Sequence, residues 1–111
     1  MTSHAVVAAR TVEGVQVIGI TGEVDLSNAS QVRDAIDRVV SAEVTAIVAD
    51  LTETAYLDSS GIAMLFRLAA RLSDRRQELR LVVPPDSPIR AALELTNLPR
   101  TIAVHDALET S

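Results

Sequence analysis

The chain has 111 residues, a formal net charge of −5 at pH 7 and a hydrophobic fraction of 48%, which fits one globular domain and is too apolar for a disordered chain. All ten basic residues are Arg, and both Lys and Cys are absent, which excludes Schiff-base and P-loop lysines, disulfides, thiol catalysis and cysteine-bound metal clusters. Only two His and two aromatic residues are present, and with the acidic balance this argues against a nucleic-acid partner.

The sequence shows no targeting or membrane-spanning segment. Its start, Met1-Thr2-Ser3-His4, lacks the basic region of a signal peptide. The longest apolar runs, 5–9 and 62–66, have five residues each, far fewer than the roughly 18 that a membrane span requires. We therefore expect a cytoplasmic protein that does not associate with a membrane.

The first part of the chain predicts a hairpin followed by a helix. Two runs rich in β-branched residues, 5–12 and 15–21, are separated by Glu13-Gly14, which is typical of a two-residue hairpin turn. Ser27 or Asn28 is then placed to cap a helix, whose predicted apolar face follows helical spacing. That face consists of Ala29, Val32, Ile36, Val39 and Val40.

The middle of the chain predicts a buried strand, a loop and a second helix. Residues 44–51 are nearly all apolar, as in a central strand, and 52–57 are predicted to be a loop. Asp58-Ser59-Ser60-Gly61 then opens the helix. Its predicted buried stripe is Ile62, Leu65, Phe66, Ala69 and Leu72, and its predicted solvated face is Arg67, Arg71 and Arg75.

The last part predicts two short strands and two helical segments. A strand at 79–83 ends at Pro84-Pro85, and Ser87-Pro88 predicts a helix to about residue 95, ended by Asn97. A final strand at 101–104 follows, and His105-Asp106 is placed to cap a last helical turn. The order ββαβαβαβα predicts one α/β domain over 1–111, with a small, mixed, mostly parallel sheet that has an N-terminal hairpin and packs against helices. The pattern does not decide whether helices cover one face of the sheet or both.

Polar residues collect where two of the predicted strands end, which is where ligand and partner sites lie in open α/β sheets. They are carboxylates and hydroxyls without a cation or an imidazole: Glu23, Asp25, Asp50, Asp58, Ser59 and Ser60. The free backbone N–H groups at a helix start favour an oxygen or an anion, and Gly61 permits close approach of another molecule.

The same residues also have ordinary structural interpretations. Asp58-Ser59-Ser60-Gly61 can be a helix cap alone, Asp25 a turn residue, and Ile62 either a buried or an exposed docking residue. Asp50 is expected to bond the loop that follows it, and His105 to be a surface residue.

Two motifs resemble those of the STAS-domain family of bacterial anti-anti-sigma factors. Thr21-Gly22-Glu23-Val24-Asp25 matches the first, and Tyr56-Leu57-Asp58-Ser59-Ser60-Gly61-Ile62, after an apolar strand ending in Asp50-Leu51, matches the second. The resemblance extends over nearly the whole chain in length, element order and motif position. The second motif alone is moderately specific for the family. Together with the first motif, about thirty residues before it, it becomes strong evidence of the resemblance.

The resemblance implies a phosphorylation switch in a protein that is not itself an enzyme and needs no cofactor or metal. The unphosphorylated protein would bind an anti-sigma factor with serine-kinase activity and so release a sigma factor. That kinase would use Mg-ATP to phosphorylate Ser59, and a serine phosphatase would reset the switch. Asp25, Asp58, Ser60, Gly61 and Ile62 would contact the partner. Where the family often has Leu-Gly after the motif, this chain has Ile62-Ala63, whose bulkier Ala63 is expected to affect the choice of partner.

Three other interpretations fit some of the same residues. A response-regulator receiver domain fits the size and Asp50, but it requires an acidic Mg²⁺ cluster and a Lys that this chain lacks. A serine hydrolase would use Ser59 or Ser60 with His105, without the usual Gly-x-Ser-x-Gly turn. The third is a STAS interaction module outside sigma regulation, such as a stressosome-like or transport-accessory scaffold, because proteins of one fold serve different partners.

Overall fold

A computed structural model describes residues 4–108 of the chain. Within them the chain forms six strands and four helices in the order ββαββαβααβ. They are β1 (Ala5–Val12), β2 (Val15–Val24), α1 (Ala29–Val39), β3 (Ala46–Asp50), β4 (Thr54–Leu57), α2 (Ser59–Asp74), β5 (Glu78–Val82), α3 (Arg90–Glu94), α4 (Leu98–Thr101) and β6 (Ala103–His105).

The predicted hairpin is confirmed. Val12 pairs with Val15 across a two-residue turn, and Glu13 and Gly14 take φ angles of 50° and 82°. Positive φ at both turn residues is the geometry that matches the twist of a hairpin. Strand β2 continues to Val24, three residues past its predicted end, and this extension carries the chain to the first of the two motifs.

The sheet is mixed and mostly parallel, as the sequence predicts. Its strand order is β1-β2-β3-β5-β6, and only the β1–β2 pair in this order is antiparallel. The helices pack on one face, where the larger core cluster joins α1, α2, α3 and α4 to the sheet. The other face holds a small cluster of Val17, Val48 and Val82, against which Val12, Val15 and Leu108 pack. This arrangement answers the question that the pattern left open.

Strand β4 corrects the predicted loop at 52–57. It pairs in parallel with the end of β2, from Gly22↔Thr54 to Val24↔Leu57, beyond the point where β3 stops pairing with β2. The buried Thr54 hydroxyl donates a 2.6 Å hydrogen bond to the Ile20 carbonyl. Four residues with a buried–exposed–exposed–buried pattern do not alternate as a half-buried strand does, so the sequence lacks the usual signal.

The C-terminal predictions need three corrections. The third helix begins at Arg90, two residues after the predicted start at Pro88, although the Ser87 hydroxyl accepts from the Ile89 amide at 3.2 Å as a capping serine does. A short helix, α4, occupies residues where a strand was predicted to begin. The final strand then takes in His105. The last helical turn, predicted to follow a cap at His105-Asp106, falls largely on residues outside the described part of the chain.

The buried face of α2 is rotated relative to the predicted stripe. Leu65 and Leu72 are buried as expected, but Ile62, Phe66 and Ala69 are only partly buried. Met64 and Leu68 take the buried positions instead, at 3% and 1% exposure. The rotation brings the start of α2 down onto β2 and leaves Ile62 at the edge of the core. Among residues 4–108, no helix has both the length and the apolar character needed to cross a membrane.

Candidate functional site

Asp58 organises the point where the two motifs meet. As the N-cap of α2, its Oδ1 accepts hydrogen bonds from the amides of Ser60 (2.8 Å) and Gly61 (3.1 Å). Its Oδ2 accepts a third, at 3.1 Å, from the amide of Leu26 in the β2–α1 loop. The carboxylate therefore satisfies open amides at the helix start and fastens a second loop to it.

Ser59 is the first residue of α2 and is exposed. Because Asp58 caps the helix, the fold does not need the Ser59 hydroxyl, which makes no hydrogen bond within residues 4–108. Ser60, the next residue, is half-buried. Of the two adjacent hydroxyls, Ser59 is thus the one that a second protein can reach more easily.

The β2–α1 loop is held together by Asp25 and Asn28. The Asp25 Oδ1 atom accepts from the amide (2.9 Å) and the hydroxyl (2.5 Å) of Ser27, which confirms the turn interpretation of Asp25. Asn28 is 5% exposed; its Oδ1 accepts from the Asp25 amide at 2.9 Å and its Nδ2 donates to the Glu23 carbonyl at 2.8 Å. Asn28 stands at the N-cap position of α1, but its side chain closes the loop rather than capping the helix.

Gly61 is buried, and its missing side chain makes room for the protein's own backbone. A Cβ atom at this position would lie 2.9 Å from the Val24 carbonyl oxygen and 3.0 Å from Leu57 Cδ2. The close approach that the sequence suggested is therefore made by the end of β2. Gly61 allows α2 to begin directly on top of that strand, which brings Ser59 beside the Asp25 loop.

Two exposed apolar side chains flank this junction. Leu26, whose amide bonds to Asp58, is 82% exposed, and Tyr56, two residues before Asp58, is 50% exposed. Ile62 packs only partly against the core. Neither Leu26 nor Tyr56 was predicted to contact a partner, although a large apolar residue among polar neighbours is typical of a contact surface.

An open groove of about 480 Å³ lies between α1 and α2 beside Ser59. Its lining residues are Leu26, Ala29, Ser30, Arg33, Ser59, Ser60, Ala63, Met64 and Arg67. Arg67 is exposed, as predicted for a solvated face, and it also lines this groove. Arg71, one turn later, is partly buried and forms a 2.9 Å ion pair with Asp37 of α1.

The remaining polar candidates lie outside this junction. Asp50 accepts from the amide (3.1 Å) and hydroxyl (2.5 Å) of Thr52, as expected for a residue that closes its loop. His105 is exposed at the end of β6, three strand spacings, or about 14 Å, from β2. This position argues against the hydrolase interpretation, in which His105 would be the base for Ser59 or Ser60. Within the described part of the chain, no three acidic or His side chains are grouped to hold a metal ion.

Comparisons with known proteins agree on one family. A family model described as the STAS domain matches residues 6–111. The anti-sigma-F factor antagonist RsfB of Mycobacterium tuberculosis is 34% identical over 100 residues, which cover 86% of this chain and 80% of that protein.

Solved structures agree in fold. An anti-sigma factor antagonist from Mycobacterium paratuberculosis superposes with a TM-score of 0.77 at 25% identity, over 95% of this chain and 88% of that one. The Bacillus cell fate determinant SpoIIAA in its phosphorylated form superposes with a TM-score of 0.61 at 22% identity, over 94% and 93% of the two chains. At that identity the likeness concerns the fold alone.

Proposed function

The chain belongs to the STAS-domain family, and from that premise we propose that it is an anti-sigma factor antagonist controlled by phosphorylation of Ser59. Unphosphorylated, it binds an anti-sigma factor that is also a serine kinase, and the sigma factor is released. Phosphorylation ends the binding, and a serine phosphatase restores it. The chain itself is a binding partner and a kinase substrate rather than an enzyme.

The observation that carries this proposal is the exposed Ser59 hydroxyl beside a carboxylate that already caps the helix. A hydroxyl that is accessible and not needed by the fold can be modified without unfolding the protein. The apolar side chains of Leu26 and Tyr56 beside it offer the contact area that a docking partner requires. Asp25, Asp58, Ser60, Gly61 and Ile62 complete the proposed contact surface, in which Gly61 contributes by seating the helix.

The chemistry of the switch follows from the charge that it adds. The Ser59 oxygen attacks the γ-phosphorus of ATP on the kinase, an O–P bond forms, the bond to ADP breaks, and the hydroxyl proton passes to a base of the kinase. The product carries about −1.5 to −2 charges. Asp25 and Asp58 repel this charge by roughly 1–3 kcal/mol per unit charge at about 6 Å, whether or not a partner is bound. Burying it without a cationic partner in a docked interface costs on the order of several kcal/mol more, which opposes binding.

Incubation with candidate anti-sigma kinases and Mg-ATP, followed by peptide mapping of any phosphate, tests the proposal. We expect one kinase to place a single phosphate on Ser59 and to bind the phosphorylated protein more weakly than the unphosphorylated one. Ser59→Ala removes the acceptor, and the matched control Ser60→Ala leaves it in place. Binding to the same kinase without ATP is measured alongside for each variant.

Two results would overturn the proposal. Phosphate on Ser60 in the wild-type protein would show that the kinase modifies Ser60 rather than Ser59. Absence of both binding and labelling with every anti-sigma kinase of the host favours the other interpretation, an interaction module that acts outside sigma regulation.

A further inference from the structure

The groove beside Ser59 carries positive charge in an otherwise acidic protein. Two of its nine lining residues, Arg33 and Arg67, are cationic and none is acidic, whereas the whole chain has a net charge of −5. The hydroxyls of Ser30, Ser59 and Ser60 share the same lining. A groove with this composition is complementary to an anion.

Both arginines are available to bind an anion. Arg67 is exposed and forms no ion pair or hydrogen bond through its side chain within residues 4–108. Within the same residues Arg33 forms one ion pair, with its sequence neighbour Asp34 at 3.3 Å, and both side chains are about half exposed, so this pair is weak. Arg71, by contrast, is engaged with Asp37 at 2.9 Å.

The helix geometry directs both arginines toward Ser59. Ser59, Ala63 and Arg67 are spaced by four residues along α2 and lie on one row of the helix, over a rise of about 12 Å. Arg33 lies one turn into α1 on the opposite wall of the groove. Long side chains on a helix lean toward its N-terminus, and Ser59 lies at the N-terminal end of the groove.

We propose that Arg33 and Arg67 bind the phosphate of phosphorylated Ser59 inside this groove. The inference rests on the proposed function, because it takes Ser59 as the modified residue, and it assigns two phosphate ligands that neither motif contains. Two guanidinium groups match the charge of a phosphate dianion and form short, charge-assisted hydrogen bonds to its oxygens.

This binding changes what phosphorylation does to the docking surface. The phosphate does not simply project toward a partner; it fills the groove and neutralises the two cations. The unphosphorylated protein presents an open groove with two positive charges, whereas the phosphorylated protein presents a filled one. The arginines also offset the repulsion that Asp25 and Asp58 exert on the phosphate, so the modified protein keeps its fold.

The test uses the full chain with phosphoserine installed at position 59 during translation, so that no kinase is needed. Phosphorus NMR across a pH titration reports the second pKa of the phosphate, which is about 6 without neighbours. Cations favour the dianion, so we expect this pKa to be lower in the wild-type groove and to rise by about one unit in Arg33→Gln/Arg67→Gln. The lysine pair, Arg33→Lys/Arg67→Lys, should keep most of the lowered value.

A matched control is Arg38→Gln/Arg75→Gln, which removes the same charge from exposed positions outside the groove, one in α1 and one at the C-cap of α2. The nearby carboxylates of Asp25, Asp34 and Asp58 are present in every variant, although Asp34 loses its ion-pair partner Arg33 in the glutamine pair and not in the control. If the glutamine pair gives the same phosphate pKa as the control, the phosphate points to solvent and the inference is wrong. That outcome leaves the proposed function standing, since kinase labelling of Ser59 is measured separately.

Discussion

Asp58 and Ser59, which are adjacent at the start of α2, have different roles. Asp58 provides all of the capping, and through Leu26 it also holds the β2–α1 loop against the helix. Ser59 provides none of this and is exposed. The capping role of Asp58 and the regulatory role that we propose for Ser59 therefore belong to neighbouring side chains, and a change at one can be separated from a change at the other.

This division predicts opposite effects for two single substitutions. Ser59→Asp adds charge at an exposed helix start, where a negative side chain is favourable by about 0.3–1 kcal/mol, so we expect a melting temperature close to that of the wild type and a loss of partner binding. Asp58→Ala leaves three amides without their acceptor, so we expect a loss of about 1–3 kcal/mol of stability. Thermal unfolding followed by circular dichroism and a binding assay with the anti-sigma kinase measure the two effects.

A much lower unfolding temperature for Ser59→Asp, with kinase binding retained, would contradict these separate roles. An Asp58→Ala variant as stable as the wild type would contradict them equally. Asp86→Ala, at an exposed position after β5, is the control for the loss of a carboxylate as such.

At the scale of elements, the end of β2 places the site. Gly22 has a φ of 106°, and the pairing of β2 with β4 shifts register directly after it. At the same level the Gly22 amide donates to the Glu53 carbonyl and the Glu23 amide donates to the His4 carbonyl, at 3.0 and 3.1 Å. This irregularity turns the last residues of β2 so that Val24 lies beneath Gly61.

Gly22→Ala should therefore cost far more than Gly14→Ala, although both glycines have positive φ. A Cβ at Gly14 meets nothing within 4 Å, whereas one at Gly22 would lie 2.3 Å from the His4 carbonyl oxygen. We expect about 1–2 kcal/mol of strain for Gly14→Ala and at least about 2 kcal/mol more for Gly22→Ala. Urea unfolding of the two variants measures the difference, and equal losses would show that β1 does not press on Gly22.

The elements that sequence reasoning identified are those with a local signal. The hairpin has its turn residues, α1 and α2 have helical spacing, and Asp58 has the chemistry of a cap. Strand β4 was missed because its partner lies thirty residues earlier on β2 and its own four residues show no alternation. That Arg33 and Arg67 line one groove could not be predicted either, because it depends on how α1 packs beside α2 rather than on either helix alone.

At the scale of the whole molecule, the two faces of the sheet are unequal. The helix face carries a continuous core of twenty buried residues, while the cluster on the outer face has three buried valines. The outer face also holds an open pocket of about 110 Å³, lined in part by Val82 and Leu108. Hydrophobic spacing identifies buried positions but not the layer that buries them, so the sequence could not distinguish the faces.

Two consecutive valines test this asymmetry. Val82 is 3% exposed and lies in the outer cluster, whereas Val83 is fully buried in the core beneath the helices. Val82→Ala and Val83→Ala each remove two methyl groups, so the free energy of transferring those groups out of water is the same for both. The two losses therefore differ only in the free energy of the cavity left behind.

Truncating Val83 leaves an enclosed cavity among packed side chains, and we expect a loss of about 2–3 kcal/mol. Truncating Val82 enlarges a pocket that is already open to water, so neighbouring groups and solvent fill the space and we expect about 1–1.5 kcal/mol. Urea unfolding gives both losses in stability, provided that the slope of the unfolding free energy against urea concentration is the same for the two variants. A loss for Val82→Ala equal to that for Val83→Ala would mean that the outer face is packed as tightly as the helix face, which contradicts a sheet covered by helices on one side.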